Sequence, residues 1–179
     1  TYTMGNLTLL SGTLNGEVIG GHGIATIKSG ETVTINNNIQ PSRITIDMNA
    51  KLIANNADYI KSNEVKNRDG GEFILKSGTL AIEEVNDTGK TIIDGIVEST
   101  ASIVNTGGLT ILSAADSTSG TASQLTTDAK NVGVDVTNGG ILNLTGDETT
   151  GILSKAITGG NVTIDGAVTS TAAIASAIA

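Results

Sequence analysis

Cysteine and tryptophan are absent from the 179 residues, and phenylalanine, proline and histidine occur once each. Without cysteine there can be no disulfide and no thiolate zinc site, so stability has to come from packing and hydrogen bonding. The aromatic side chains are Phe73, Tyr2 and Tyr59 alone. Sandwiches and compact barrels fill a wide core with rings that bury about 150 to 250 Å² each, so this scarcity points to a narrow interior of Ile, Leu and Val. His22 has no second histidine with which to share a zinc ion and reads as a surface corner residue. No basic start leads into an apolar signal region, and no apolar run reaches membrane-spanning length. The start at Thr1 and the apolar end 173–179 lead us to expect a piece of a longer chain.

Ten basic and eighteen acidic residues leave a formal charge of −8. That balance repels phosphate backbones and argues against nucleic acid or an anionic membrane as partner. The length suits one domain. Aliphatic residues are plentiful and mean hydropathy is slightly positive, which disfavours disorder.

Glycine is abundant, at 23 residues close to double the usual ~7 per cent. Its placement repeats. Gly70-Gly71 precedes Phe73-Ile-Leu75, Gly107-Gly108 precedes Leu109-Thr-Ile111, Gly139-Gly140 precedes Leu142-Asn-Leu144, and Gly159-Gly160 precedes Val162-Thr-Ile164. Ser29-Gly30 and Ser77-Gly78 are looser versions, before Val33-Thr-Ile35 and Leu80-Ala-Ile82. Short alternating runs recurring at a period of about 20 residues are what a β-solenoid needs, each coil consuming three short strands and their corners. Alternation points Val33, Ile35, Ile44, Ile46, Leu142, Leu144, Val162 and Ile164 inward, with Thr or Asn between them in solvent. Glycine then belongs at the bends, where φ turns positive or the next coil leaves no space for a Cβ. The sequence therefore predicts an all-β chain, a right-handed parallel β-helix over residues 1–179 with about 20 residues per coil. Asp94-Gly95, Asp165-Gly166 and Asn15-Gly16 would suit tight hairpins in the competing antiparallel meander.

Two stretches break the rhythm. Residues 47–69 crowd charges around Tyr59, and 113–130 are rich in small polar residues without alternation. Both are expected to leave the coil as excursions, the places where a regular scaffold carries binding groups, with an unusually polar coil as the alternative for the first. Within the first, Lys51, Asp58, Tyr59 and Lys61 are the candidate ligand-binding residues. No catalytic residue, cofactor-binding residue or metal ligand is assigned, and no cofactor is expected.

The run Asn131 to Ile164, "NVGVDVTNGGILNLTGDETTGILSKAITGGNVTI", resembles the passenger regions of large monomeric autotransporter adhesins of Gram-negative bacteria. The resemblance covers the C-terminal third well and the remainder loosely. It implies export through the outer membrane, display on the bacterial cell surface, and attachment to a host-cell or bacterial surface protein or glycan. It further implies that this segment does not itself enter the membrane and is a monomer or associates end to end.

Other chemistries compete. Parallel β-helices include polysaccharide lyases and glycosidases, which use paired carboxyls about 5 to 9.5 Å apart. Asp47, Asp94 and Asp165 each follow an Ile at a strand-like end, where aspartate also forms turns. The stretch from Gly20 to Lys28 is superficially like a calcium-binding nonapeptide, but Ala25 holds the place of its aspartate. No Gly-Lys-Ser/Thr follows these glycines, so they form no phosphate loop. Ice binding would need a Thr-x-Thr in every coil; Thr1-Tyr-Thr3 and Thr32-Val-Thr34 fit, but the other Thr-bearing runs mostly have an inward apolar residue where the second Thr should be. A purely structural stalk needs none of these features.

Overall fold

A computed structural model describes residues 2–3, 5–55, 57–147 and 151–175. Thr1 of the first Thr-x-Thr pair and residues 176–179 of the apolar end lie outside the described residues. All named strand pairings are parallel, as in Thr32–Ile35 beside Lys51–Ala54 and Gln124–Asp128 beside Ile141–Gly146. The chain is a β-solenoid of about eight turns with roughly 20 residues per turn. At about 4.8 Å per turn, it forms a rod of about 40 Å. The single helical feature among the described residues is one 3-10 turn, Ala129–Asn131.

Each turn contributes to three ladders. The first face stacks 7–9, 24–27, 43–46, 64–67, 84–86 and 102–103, continuing to Val132 by an isolated bridge. The second stacks 12–14, 32–35, 51–54, 72–75, 90–93, 109–111, 136–138, 157–158 and 174–175. The third stacks 18–20, 39–41, 59–62, 77–82, 96–99, 124–128, 141–146 and 161–166. Alternate residues point inward, so in-register ladders become columns of aliphatic side chains: Ala25, Ile44, Val65 and Val85 on the first face, Val33, Leu52 and Phe73 on the second. Val33, Ile35, Ile44, Ile46, Leu142 and Leu144 are buried as the alternation requires. Ile164 departs from it at 49 % exposure, because among the described residues its strand is paired on one edge only.

Asparagine enters the interior where the first face bends into the second. Asn67 donates its amide to the Lys90 carbonyl at 2.8 Å, and Asn105 donates to the Gly89 carbonyl at 2.7 Å. Two buried side chains, one coil below and one above, thus grip the same bend and satisfy carbonyls that a corner takes out of the ladder.

The double glycines serve two different bends, so they are not one repeated position. Gly70-Gly71 and Gly107-Gly108 lie before the second face, whereas Gly139-Gly140 and Gly159-Gly160 lie before the third. Gly70 takes φ 66°, a left-handed conformation that side chains resist. Gly140 is demanded by space instead: a Cβ there would lie 2.2 Å from the Ser123 carbonyl oxygen of the neighbouring coil.

Residues 47–69 do not leave the rod. They supply Lys51–Ala54 to the second face and Tyr59–Asn67 to the third and first, fully in register. The excursion expected there is corrected to one complete coil, because Leu52, Ala54, Ile60 and Val65 keep the inward alternation while the charged residues take the outward positions. Of 113–130, the second half rejoins the ladder at Gln124–Asp128, and a real loop occupies only about 113–122.

Candidate functional site

The four candidate ligand-binding residues fall on different parts of one coil. Lys51 points outward on the second face and pairs with Glu72 of the next coil at 2.7 Å. Asp58 sits at the bend into the third face, its backbone N–H donating to Asn38 Oδ1 at 2.8 Å. Tyr59 donates its hydroxyl to Glu17 Oε1 at 3.2 Å, two coils away, and accepts from Gln40 Nε2 in the coil between. Partial burial, with the Glu17 carboxylate behind it, raises the tyrosine pKa above its ordinary value. Lys61 is exposed on the third face beside a shallow depression formed with Gln40, Ser42 and Asn63. Tyr59 and Lys61 share a face with Asp58 at its edge, and Lys51 lies around the corner from them.

The three aspartates considered for sugar hydrolysis are also dispersed. Asp47 closes a first-face strand and pairs with Arg68 at 3.0 Å. Asp165 is exposed on the third face opposite Thr145. Asp94, at the bend from the second face to the third, is 5 % exposed and accepts three hydrogen bonds. Its Oδ1 accepts from Ser117 Oγ and from the Thr118 backbone N–H, both at 2.9 Å; its Oδ2 accepts from Thr118 Oγ1 at 2.7 Å. Lys76, one coil below, lies 3.5 Å from Oδ2 and donates to Thr118 Oγ1 at 3.0 Å. Burial pushes the Asp94 pKa up. The hydrogen bonds from Thr118 and Ser117, helped by the Lys76 charge, outweigh that and hold it below the usual value of 3.8.

The partners of Asp94 belong to the 113–122 loop. The chain leaves the second face after Ile111, folds down the corner over Asp94 and Lys76, and returns where the Ser123 N–H donates to the Leu112 carbonyl at 3.0 Å. Its ends are therefore adjacent, as in a compact Ω-type loop. Within it, Ser113 Oγ donates to Asp116 Oδ2, and the hydroxyls of Ser117, Ser119 and Thr121 form a chain with steps of 2.9 and 2.8 Å. The arrangement presents exposed hydroxyls and the Asp116 carboxylate at a fixed height on the rod, a surface suited to polar contact.

Read from sequence, Asp94 is a turn former; its part as the anchor of this loop was not apparent. The signal was the spacing: Ser117 and Thr118 follow Asp94 by 23 and 24 residues, close to one coil, which brings that acid and those hydroxyls to neighbouring rungs. His22 is exposed near Arg43 and Glu64, and Ala25 faces the core. Among the described residues no group of three or more His, Cys, Asp or Glu is placed to hold a metal ion.

Comparison with protein-family models, with curated proteins and with solved structures finds no match to this chain.

Proposed function

We propose that this chain is a non-enzymatic segment of a bacterial cell-surface adhesin, a length of autotransporter passenger that projects from the outer membrane and attaches to host or other bacterial cells. The observation that carries the reading is the parallel stack of coils, whose narrow aliphatic interior makes a rod and whose outward side chains are held at fixed heights. The resemblance of residues 131–164 to such passengers supplies the surface setting. Attachment is assigned to the lateral faces and to the loop pinned over Asp94, a polar projection that stands outside the ladders. Two of the aspartates considered for catalysis are tied into Arg68 and into this loop, which supports a binding role over hydrolysis.

The test is a pull-down of fluorescently labelled chain on bacterial and epithelial cells. Saturable binding that weakens when residues 114–121 are excised supports the reading. A folded chain that binds no cell surface contradicts it and leaves a stalk.

A further inference from the structure

Where the third face bends into the first, the rod changes cross-section. In the coil 96–103 the bend is made directly through Thr100 and Ala101, whereas in the next coil it is widened by the 3-10 turn Ala129–Asn131. The inward column marks the same place. It runs Val18, Ile39, Ile60, Leu80, then switches to Ser99 and Thr127 before returning to Leu144. Thr127 Oγ1 donates to the Ser99 carbonyl at 2.9 Å and accepts from Asn131 Nδ2 at 3.2 Å. At this step lies a groove of about 360 Å³, lined among others by Thr79, Glu98, Thr126, Asp128 and Lys130. That volume lies within the ~300 to 1,000 Å³ usual for small-molecule sites.

We propose that this groove binds a short neutral glycan. The inference rests on the adhesive reading above and gives it a ligand class. Glu98 points outward between Thr79 and Thr126, its register neighbours below and above, and has no hydrogen bond or ion pair among the described residues. Thr126 Oγ1 accepts from Asn143 Nδ2 at 3.2 Å and keeps its own proton to donate. Asp128 is held by the Lys130 backbone N–H at 3.1 Å and its ammonium at 3.6 Å, which fixes a second carboxylate and a cation on the far wall. Sugar hydroxyls both donate and accept, so a carboxylate with open acceptor sites beside threonine hydroxyls matches a diol. The threonine methyls offer the apolar contact to sugar C–H that this aromatic-poor chain cannot offer with rings. Two carboxylates against one ammonium disfavour sulfated, phosphorylated or uronate sugars.

Amide chemical-shift titration of the isotopically labelled chain with cellobiose, lactose, mannobiose and N,N′-diacetylchitobiose tests the assignment. Saturable shifts at 98–100 and 126–131 with at least one disaccharide are expected, and none with a sulfated disaccharide. Glu98→Gln should weaken binding about tenfold, the loss of a charge-assisted hydrogen bond, while Asp69→Asn, exposed at a bend away from both the groove and the loop, should leave it unchanged. Absence of groove shifts with all four sugars, or shifts indifferent to Glu98→Gln, overturns the proposal. The cell pull-down separates the two ideas: cells bound equally by wild type and Glu98→Gln sink the groove but not the adhesin, whereas a chain that binds neither cells nor sugars sinks both.

Discussion

Residues 47–69 and 113–122 are both polar interruptions in an otherwise aliphatic alternation, and the chain treats them in opposite ways. The first carries Lys51, Lys61, Glu64, Lys66 and Arg68, yet its Leu52, Ala54, Ile60 and Val65 recur at inward positions and are buried to 1 % or less. Its charges then have somewhere to go: Arg43–Glu64 at 2.8 Å and Lys51–Glu72 link it to the coils on either side, and Arg68–Asp47 ties its two ends together. The second offers no apolar residue larger than alanine between Leu112 and Leu125, so no inward position can take an aliphatic side chain of the size the columns use, and the chain leaves the ladder. What decides membership of the rod is the spacing of a few apolar residues, since burying them is the dominant gain on folding and outward charges cost little.

The sharpest way to break this comparison is to place the same charge in each stretch. Ile60→Asp would bury an unpaired carboxylate in a fully packed column and should remove most or all of the folded state, an effect of about 5 kcal/mol or more; Ala115→Asp should leave the thermal midpoint where it is. Comparable effects in differential scanning calorimetry would contradict the distinction. A smaller loss is expected at the anchor. Asp94→Ala strips the loop of its charge-assisted bonds and should cost about 2 to 3 kcal/mol, with faster proteolysis confined to 113–122.

Excision of 114–121 should cost less, about 1 to 2 kcal/mol, and leave the far-ultraviolet circular dichroism unchanged, because Ser113 and Ala122 lie at the closed neck of the loop. Acid offers a related test. Since the folded-state pKa of Asp94 is depressed, its contribution is fully present above the ordinary value of 3.8 and is lost as pH falls below that, through the folded value. Loop proteolysis by an acid-active protease should be flat from neutral pH down to about 4 and rise below it; in Asp94→Asn it should be high throughout. The smallest effect belongs to Arg68→Ala, an exposed ion pair whose removal should shift stability by no more than about 0.5 kcal/mol, as read from chemical denaturation.

Much of this architecture could be read before any coordinates. Val33 and Ile35, Ile44 and Ile46, Leu142 and Leu144 announce inward positions by alternation alone, and the period of about 20 residues orders them into coils. The glycine pairs announce bends, though not which bend, because the Gly70 and Gly139 pairs look alike in sequence while answering to a positive φ in one case and to a crowding carbonyl in the other. Polar residues facing inward were the least legible. Asn67, Asn105, Ser99 and Thr127 are buried because backbone carbonyls at corners and a change of cross-section need donors there, and alternation carries no mark of that need. The anchor at Asp94 escaped for the same reason, since its partners are one coil away and belong to a loop with no pattern of its own.

The account depends most on each coil lying directly upon the last, and a chain without native cysteine allows that to be measured by spin labelling. Thr13, Thr34, Thr110, Thr137 and Thr158 share one outward column of the second face, linked rung by rung through Ile53, Ile74 and Ile92. Nitroxides on Thr13→Cys paired in turn with Cys at the other four positions should give distances that lengthen by about 4.8 Å per rung, reaching about 29 Å between 13 and 137 and about 34 Å between 13 and 158. Distances that fail to grow with the number of intervening rungs would contradict the stacked rod and everything inferred from it.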